Sequence, residues 1–426
     1  MKYGTIILTL SLFTLFSAKA QNKAEVHTKK VGLVLSGGGA KGLAHIGALK
    51  VIDSLGIKID YVAGTSMGAI IGGLYASGYT GKQLDSIFQI LDFNKIINDD
   101  LPRVSKTSYE RGNDDKYAVK LPFDTFKIML PSALSKGYNV YSLLMGSLIH
   151  VNQIHDFEKL PIPFFCIATN AETGVQVILD KGDLAQSILA SGALPSFFEP
   201  VIIDDQVLID GGVANNYPID ELRAKGMDVI IGVDVQDGLR NREELASAPD
   251  VLIQINNFRT INDMKLKAKK TDIYIKPDIM DFNVVSFNEG NQIIENGIVA
   301  AKEKLSALRI LPLKKQADLN SELKLKPIDS IKINHVHLKG NNKYTRAYIL
   351  GKLRIKGSET VLYKYFKAGM DRLEATDNFD AITYELKETE NKGGYDIIAR
   401  LKETEKSLFL KLGIHYDDLY KSAALV

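Results

Sequence analysis

The sequence predicts an α/β domain built on a mostly parallel sheet, followed by a smaller β-rich module. Three observations carry this expectation. From Val31 onward, short apolar runs alternate with helical stretches, the pattern of parallel strands joined by crossover helices. Two of the strand-to-helix transitions are rich in glycine, at residues 37–42 and 64–68. After Leu311 the chain turns polar and lysine-rich, and a new alternation of strand and helix begins. With 426 residues, of which 45% are hydrophobic and 24% charged, the chain has room for more than one packed core. A single cysteine excludes an intrachain disulfide framework and a Cys-rich zinc module. Its 53 basic residues nearly cancel 51 acidic ones, which argues against nucleic acid as a partner.

Each element follows from local pattern. Residues 1–20 combine Lys2, an apolar run from Ile6 to Phe16 and the small-residue site Ala18-Lys19-Ala20, which together read as a signal peptide. The apolar run is shorter than the ~20 residues a helix needs to span a bilayer. The first domain is expected over 28–311, with strands at 31–36, 59–64, 164–169, 175–179, 207–210, 229–234 and 272–275. Helices are expected at 43–55, 67–77 and 291–308. Residues 312–327 read as a linker. The second module, 328–404, reads as β-α-α-β-β, with a strand at 331–338, helices at 345–353 and 359–368, and strands at 381–387 and 395–402. Leu408, Leu410, Leu412, Ile414 and Tyr416 alternate with other residues, so 405–426 reads as a strand with one apolar face and no partner. Such alternation suits the first strand of a truncated membrane barrel.

The chemistry gathers at three places. Ser66, flanked by Gly64 and Gly68, ends an apolar strand and opens a helix of small residues, the context of a nucleophile elbow. The loop Gly37, Gly38, Gly39, Ala40, Lys41 and Gly42 admits two readings: a dinucleotide-binding turn or an oxyanion hole. The dinucleotide reading wants an acid at the end of the second strand, yet Asp60 stands at its start and Ser66 follows its end. Backbone N–H groups of residues 37–40, Gly38 and Gly39 first among them, are therefore the oxyanion-hole candidates. Asp210, at a strand end and followed by Gly211 and Gly212, is the candidate base, with Asp234 as its rival. His45 is expected to pack or cap the glycine loop. His150, His155, His335 and His337 have no triad-like surroundings. Nothing in the sequence suggests a metal cluster or a cofactor.

With these pieces in hand, the chain resembles the patatin-like phospholipases over about residues 30–310. Residues 37–42, 64–68 and 210–212 look like that family's glycine-rich, elbow and Asp-Gly motifs. Leu43-Ala44-His45-Ile46-Gly47, Ala190-Ser191-Gly192-Ala193-Leu194-Pro195 and Asn215-Asn216-Tyr217-Pro218 match its flanking segments. The resemblance implies a three-layer α/β/α hydrolase with a Ser66–Asp210 dyad, and Lys41 fills a position that the family gives to Lys or Arg. Residues 328–402 resemble a POTRA (polypeptide-transport-associated) module of the kind that precedes outer-membrane barrels.

The expected function is thus an exported serine hydrolase acting on carboxylic esters of membrane phospholipids or lysophospholipids, without nucleotide cofactor or nucleic-acid partner. Its expected location is the periplasm, outer membrane or surface of a Gram-negative cell. The alternative is a secretion or assembly adaptor acting through the POTRA-like module. An apolar stretch at 121–134 is expected either to serve as a lid or lipid contact, or to pack against the domain.

Overall fold

The computed structural model describes residues 29–314 and 330–425, apart from residues 118, 125–126, 129–132, 237, 240, 243–244, 246–247, 390–392, 406–407 and 418–421. The expected signal peptide and residues 315–327 of the expected linker lie outside the described residues. Strand β1 (Val31–Leu35) leads through the glycine loop and a 3-10 turn (Gly39–Leu43) into α1 (Ala44–Ser54). Strand β2 (Tyr61–Thr65) feeds α2 (Met67–Ala76), then α3 (Gly81–Gln89), α4 (Phe93–Ile97) and α5 (Ser108–Lys116). Short strands β3 (Val119–Asp124) and β4 (Lys127–Ile128) precede α6 (Tyr138–Leu148). Next come β5 (Phe164–Asn170), β6 (Gln176–Leu179), α7 (Leu184–Ser191), β7 (Val201–Ile203), β8 (Gln206–Asp210) and α8 (Ile219–Ala224). Strand β9 (Val229–Val233), α9 (Ala248–Lys270), β10 (Ile273–Ile275), α10 (Gly290–Lys302) and α11 (Leu305–Leu308) complete the large domain.

Strands β10, β9, β1, β2 and β5 pair in that order, all parallel, and β6, β8 and β7 add antiparallel pairings. Successive strand side chains serve opposite faces. Leu33 and Leu35 join one buried cluster and Val34 another, and Phe164 and Cys166 separate in the same way from Phe165 and Ile167. A strand buried on both faces needs apolar residues throughout, so these strands read as continuous apolar runs.

The pairing along β5 positions the site. Strand β6 covers Cys166 to Thr169 along one edge. The other edge carries β2 along Phe164 to Ile167 and then β8 along Ala168 to Asn170. Since β2 runs parallel and β8 antiparallel to β5, their C-terminal ends meet head-on: Thr65 lies opposite Ile167, and Asp210 opposite Ala168.

The small domain holds β11 (Ser330–Lys339), α12 (Arg346–Leu353), β12 (Glu359–Leu362), α13 (Tyr363–Glu374), β13 (Phe379–Glu388) and β14 (Tyr395–Glu403). Its sheet order is β12-β11-β14-β13. The expected β-α-α-β-β order gains a strand, because residues 359–362 pair antiparallel with β11 before the second helix begins at Tyr363. Thr360 and Val361 are β-branched and favour that extended start.

The expected lone strand near 408–416 is corrected too. It forms β15 (Phe409–Leu412) and β16 (Ile414–Asp417), and β16 pairs with β17 (Ser422–Leu425). Strand β15 pairs antiparallel with β3 of the large domain, register Leu410 to Leu121. The 121–134 stretch is thereby held partly in a sheet; its Phe126, Met129 and Leu130 lie outside the described residues. Pro312 and Lys314, counted with the linker, are bonded to Lys58 and Gly56 of the large domain.

The two domains meet along one edge of the small sheet. Strand β13 pairs with β14 on one side only, leaving alternate peptide groups to find other partners. Tyr141 on α6 takes one: its hydroxyl donates to the Tyr384 carbonyl (2.9 Å) and accepts from the Tyr384 N–H (3.2 Å). The side chains of Asn152 and Gln153 donate to the Leu386 carbonyl, and Lys136 Nζ to that of Phe379 (2.7 Å). Tyr138 donates to Asp371 (2.8 Å).

Removing the Tyr141 hydroxyl leaves a buried N–H and C=O unpaired, which costs about 1–3 kcal/mol. Tyr141→Phe is expected to lower the unfolding free energy by that amount and so shift the urea midpoint down with the slope unchanged; an unaltered midpoint would refute the edge-capping role.

Candidate active site

Ser66 leaves β2 at φ 55° and ψ −122°, a strained backbone for a residue with a side chain. Two close approaches explain the glycines around it. A Cβ on Gly64 would lie 2.3 Å from the Gly68 carbonyl oxygen, and one on Gly68 would lie 2.2 Å from that of Leu35. The elbow is thus tight enough to turn Ser66 off the sheet at the N-terminus of α2. Ser191 holds it there: its Oγ accepts from the Ser66 N–H (3.0 Å) and donates to the Ile167 carbonyl (2.5 Å).

Across the strand junction, Ser66 Oγ donates to Asp210 Oδ2 at 2.6 Å. Asp210 Oδ1 accepts from the Gly212 N–H at 2.7 Å. Only glycine fits at 211, where a Cβ would come within 2.1 Å of the Ile167 carbonyl oxygen. Asp210 is 4% exposed, and burial pushes its carboxyl up to about 6, opposed by the bonds from Ser66 and Gly212.

The loop after Asp210 is fastened on several sides. Thr169 Oγ donates to the Asp210 carbonyl (2.8 Å), and Thr65 Oγ to that of Asn215 (3.0 Å). From α9, Arg259 donates to the Ala214 carbonyl and Lys267 to Asn215 Oδ1. Asn216 ties this loop to the glycine loop, exchanging bonds with the backbone of Gly37. Sequence motifs contained Ser191 and Asn216, but their positioning roles needed the tertiary contacts.

The glycine loop narrows the four oxyanion-hole candidates to two. The Ala40 N–H donates to the Val284 carbonyl (2.9 Å), and the Gly37 N–H to that of Asn216 (3.3 Å). Both donors are occupied, which leaves Gly38 and Gly39. Ala40 and Gly37 are therefore scaffold in this loop. Lys41 is buried in the same wall, and Gly42 packs against Met67.

Asp234 stands apart from the Ser66–Asp210 pair. Its carboxylate accepts from Tyr274 (2.5 Å), Lys276 (3.0 Å) and the Gln236 N–H (2.9 Å), and so fixes the turn after β9. Asp60 accepts from the Val31 N–H and from Lys58 at the opposite end of the strands. His45 is fully buried, bonded to the Ser36 carbonyl (2.8 Å) and held neutral, its pKa pushed down to about 4 by desolvation. His150 bonds the Ser77 carbonyl, and His335 and His337 pair with Asp396 in the small domain. His155 bonds the Gly182 carbonyl. Among the described residues, no cluster of His, Cys, Asp or Glu could hold a metal ion.

Ser66, Asp210, Gly38 and Gly39 line a cavity of about 440 Å³. Its wall is mainly apolar, with Phe88, Leu91, Phe93, Val140, Leu144 and Ile188 among its residues. Helix α6, which caps the small domain's sheet edge, supplies part of that wall through Val140, Leu143 and Leu144. Gln236 also lines it, and neither atom of its side-chain amide has a hydrogen-bond partner among the described residues.

Comparisons with known proteins match two parts of the chain to families. Residues 33–223 match the family model of the patatin-like phospholipases, and residues 395–426 match that of the OMP85 superfamily. The chain is 27% identical over 316 residues to lysophospholipase NTE1 of Candida glabrata, covering 65% of this chain and 16% of that protein. It is 25% identical over 330 residues to lysophospholipase NTE1 of Saccharomyces cerevisiae, covering 69% and 18%. The chain thus spans under a fifth of the length of these relatives. Among solved structures it aligns with VipD from Legionella pneumophila at 15% identity and a TM-score of 0.38, covering 66% of this chain and 67% of that one. Residues 33–223 form a patatin-like phospholipase domain, with an OMP85-superfamily match at residues 395–426.

Proposed function

We propose that this chain is an exported lipid acyl hydrolase that cleaves carboxylic esters of membrane phospholipids or lysophospholipids. The observation that carries the reading is the 2.6 Å bond from Ser66 Oγ to a buried carboxylate at the end of an apolar cavity. As Ser66 Oγ attacks the ester carbonyl carbon, Asp210 takes its proton. The carbonyl oxygen becomes an oxyanion facing the N–H groups of Gly38 and Gly39, donors that are each worth about 3–4 kcal/mol in such transition states. Collapse breaks the ester bond, and the protonated Asp210 returns the proton to the departing alcohol oxygen. Water then attacks the acyl-enzyme, giving its proton to Asp210, which returns it to Ser66 as the fatty acid leaves.

A carboxylate of ordinary pKa is a weak base at neutral pH, and the burial of Asp210 moves it toward the working range. The apolar wall suits an acyl chain. The names of the curated relatives favour a lysophospholipid among the possible esters. Export rests on the pattern of residues 1–20. Residence in the periplasm, outer membrane or surface of a Gram-negative cell rests on that pattern together with the OMP85 match.

The adaptor alternative would use the POTRA-like small domain to pair with client strands. One of its two sheet edges is already taken by Tyr141, Asn152 and Gln153, which leaves the four residues of β12. The alternative predicts unimpaired cellular function in Ser66→Ala.

Three outcomes are expected. Ser66→Ala abolishes both ester hydrolysis and fluorophosphonate labelling, with the circular dichroism spectrum retained. Asp210→Asn lowers kcat by a factor on the order of 10²–10⁴, while Asp234→Asn lowers Tm and leaves kcat near the parent value; the reverse pattern would exchange the two acids. The third concerns pH: because the working form of Asp210 is ionised and its pKa is raised, kcat/KM should climb through about pH 6 and level off above it. A profile flat from pH 4 to 8 would remove Asp210 from the role.

A further inference from the structure

Helix α9 turns an apolar stripe to solvent. Val251, Ile255, Phe258 and Leu266 are 42, 56, 52 and 64% exposed. At 100° per residue, spacings of four, three and eight put them on one face. The exposed Asn262, Lys265 and Lys269 share that face. The helix packs inward through other positions, Gln254, Thr260 and Met264, and Met264 joins the second buried cluster. The domain core therefore does not require the stripe. A surface helix ordinarily presents its polar face to water, so this one has a second surface to meet.

The position of the stripe says which surface. Ile255 belongs both to the stripe and to the wall of the catalytic cavity. Val285, 52% exposed, is likewise part of that wall. The exposed apolar surface of α9 is thus continuous with the cavity that holds Ser66. Toward the C-terminal end of the helix the same face becomes cationic at Lys265 and Lys269. An apolar segment followed by lysines on one helical face matches the boundary between acyl chains and phosphate headgroups.

We propose that α9 lies in the surface of a phospholipid bilayer, with Val251, Ile255 and Phe258 in the headgroup–acyl boundary and Lys265 and Lys269 against lipid phosphates. This orientation turns the cavity mouth toward the membrane, so an acyl chain passes from bilayer to site along Ile255 and Val285. The inference rests on the acyl-hydrolase reading for the identity of what enters the cavity. The docking itself is measured without catalysis.

The test compares the full chain with a Val251→Gln, Phe258→Gln, Leu266→Gln variant and a Lys265→Gln, Lys269→Gln variant. Flotation is measured with phosphatidylcholine vesicles and with vesicles also containing phosphatidylglycerol, alongside hydrolysis of a soluble short-chain ester and sedimentation. The parent should float, and the apolar variant should lose at least roughly tenfold in affinity for both vesicles. Its kcat/KM on the soluble ester should stay at the parent value. The lysine variant should lose on the order of fivefold per residue on the anionic vesicles alone. A parent that does not float, or an apolar variant that floats like it, overturns the proposal. So does loss of a dimer in the apolar variant with flotation unchanged, since the stripe would then face a second copy. Flotation as expected from a parent inactive on the soluble ester would retain the docking surface and reject the hydrolase reading.

Discussion

The meeting of Ser66 and Asp210 depends on one edge of β5 being shared by two strands. Parallel β2 occupies it as far as Ile167, antiparallel β8 takes over at Ala168, and their C-termini face each other. Neither strand can advance, since the next peptide position is filled by the other. The chain leaves the sheet at both ends, through the elbow at Ser66 and the turn at Gly211. Thus two side chains 144 positions apart in sequence come to a 2.6 Å bond. The absence of a β-carbon at 211 is a direct requirement of this junction, because the Ile167 carbonyl stands where one would be.

That junction is buried, and the burial raises the Asp210 pKa at the expense of stability above it. Asp210 in the folded chain titrates near 6, against about 4 for an unfolded aspartate. The folded state therefore holds its proton more tightly, and folding stability falls as pH rises through that window, by on the order of 3 kcal/mol in all. A mostly apolar surrounding and few bonds to the carboxylate keep its pKa raised. Asp234, also buried, is bonded differently: it accepts from Tyr274, Lys276 and a backbone N–H, three donors that tie it to the turn after β9.

The second domain is joined to the first by the same economy of peptide groups. The open edge of β13 is covered by Tyr141, Asn152 and Gln153, and α6 brings Tyr141 there while its Val140 and Leu144 face the catalytic cavity. The cavity wall and the domain junction therefore share one helix. On the far side of the site, α9 braces the Asp210 loop through Arg259 and Lys267 and carries the exposed apolar stripe.

By itself the sequence determined the local chemistry: apolar runs for two-sided strands, glycines for the elbow at Ser66, and a strand-ending Asp210. Those signals are legible because steric and hydrophobic demands act within a few residues. Helix α9 was not legible, since its inward positions include Gln254 and Thr260 while apolar residues point to solvent, which blurs the helical periodicity. Strand β12 hid inside an apparent helix because its pairing with β11 is a long-range bond. The tertiary structure alone decided which loop N–H groups remain after Val284 and Asn216 take theirs, and where the strand at 409–412 finds its partner. These depend on hydrogen bonds between residues far apart in the chain, and no local pattern records whether a donor is already in use.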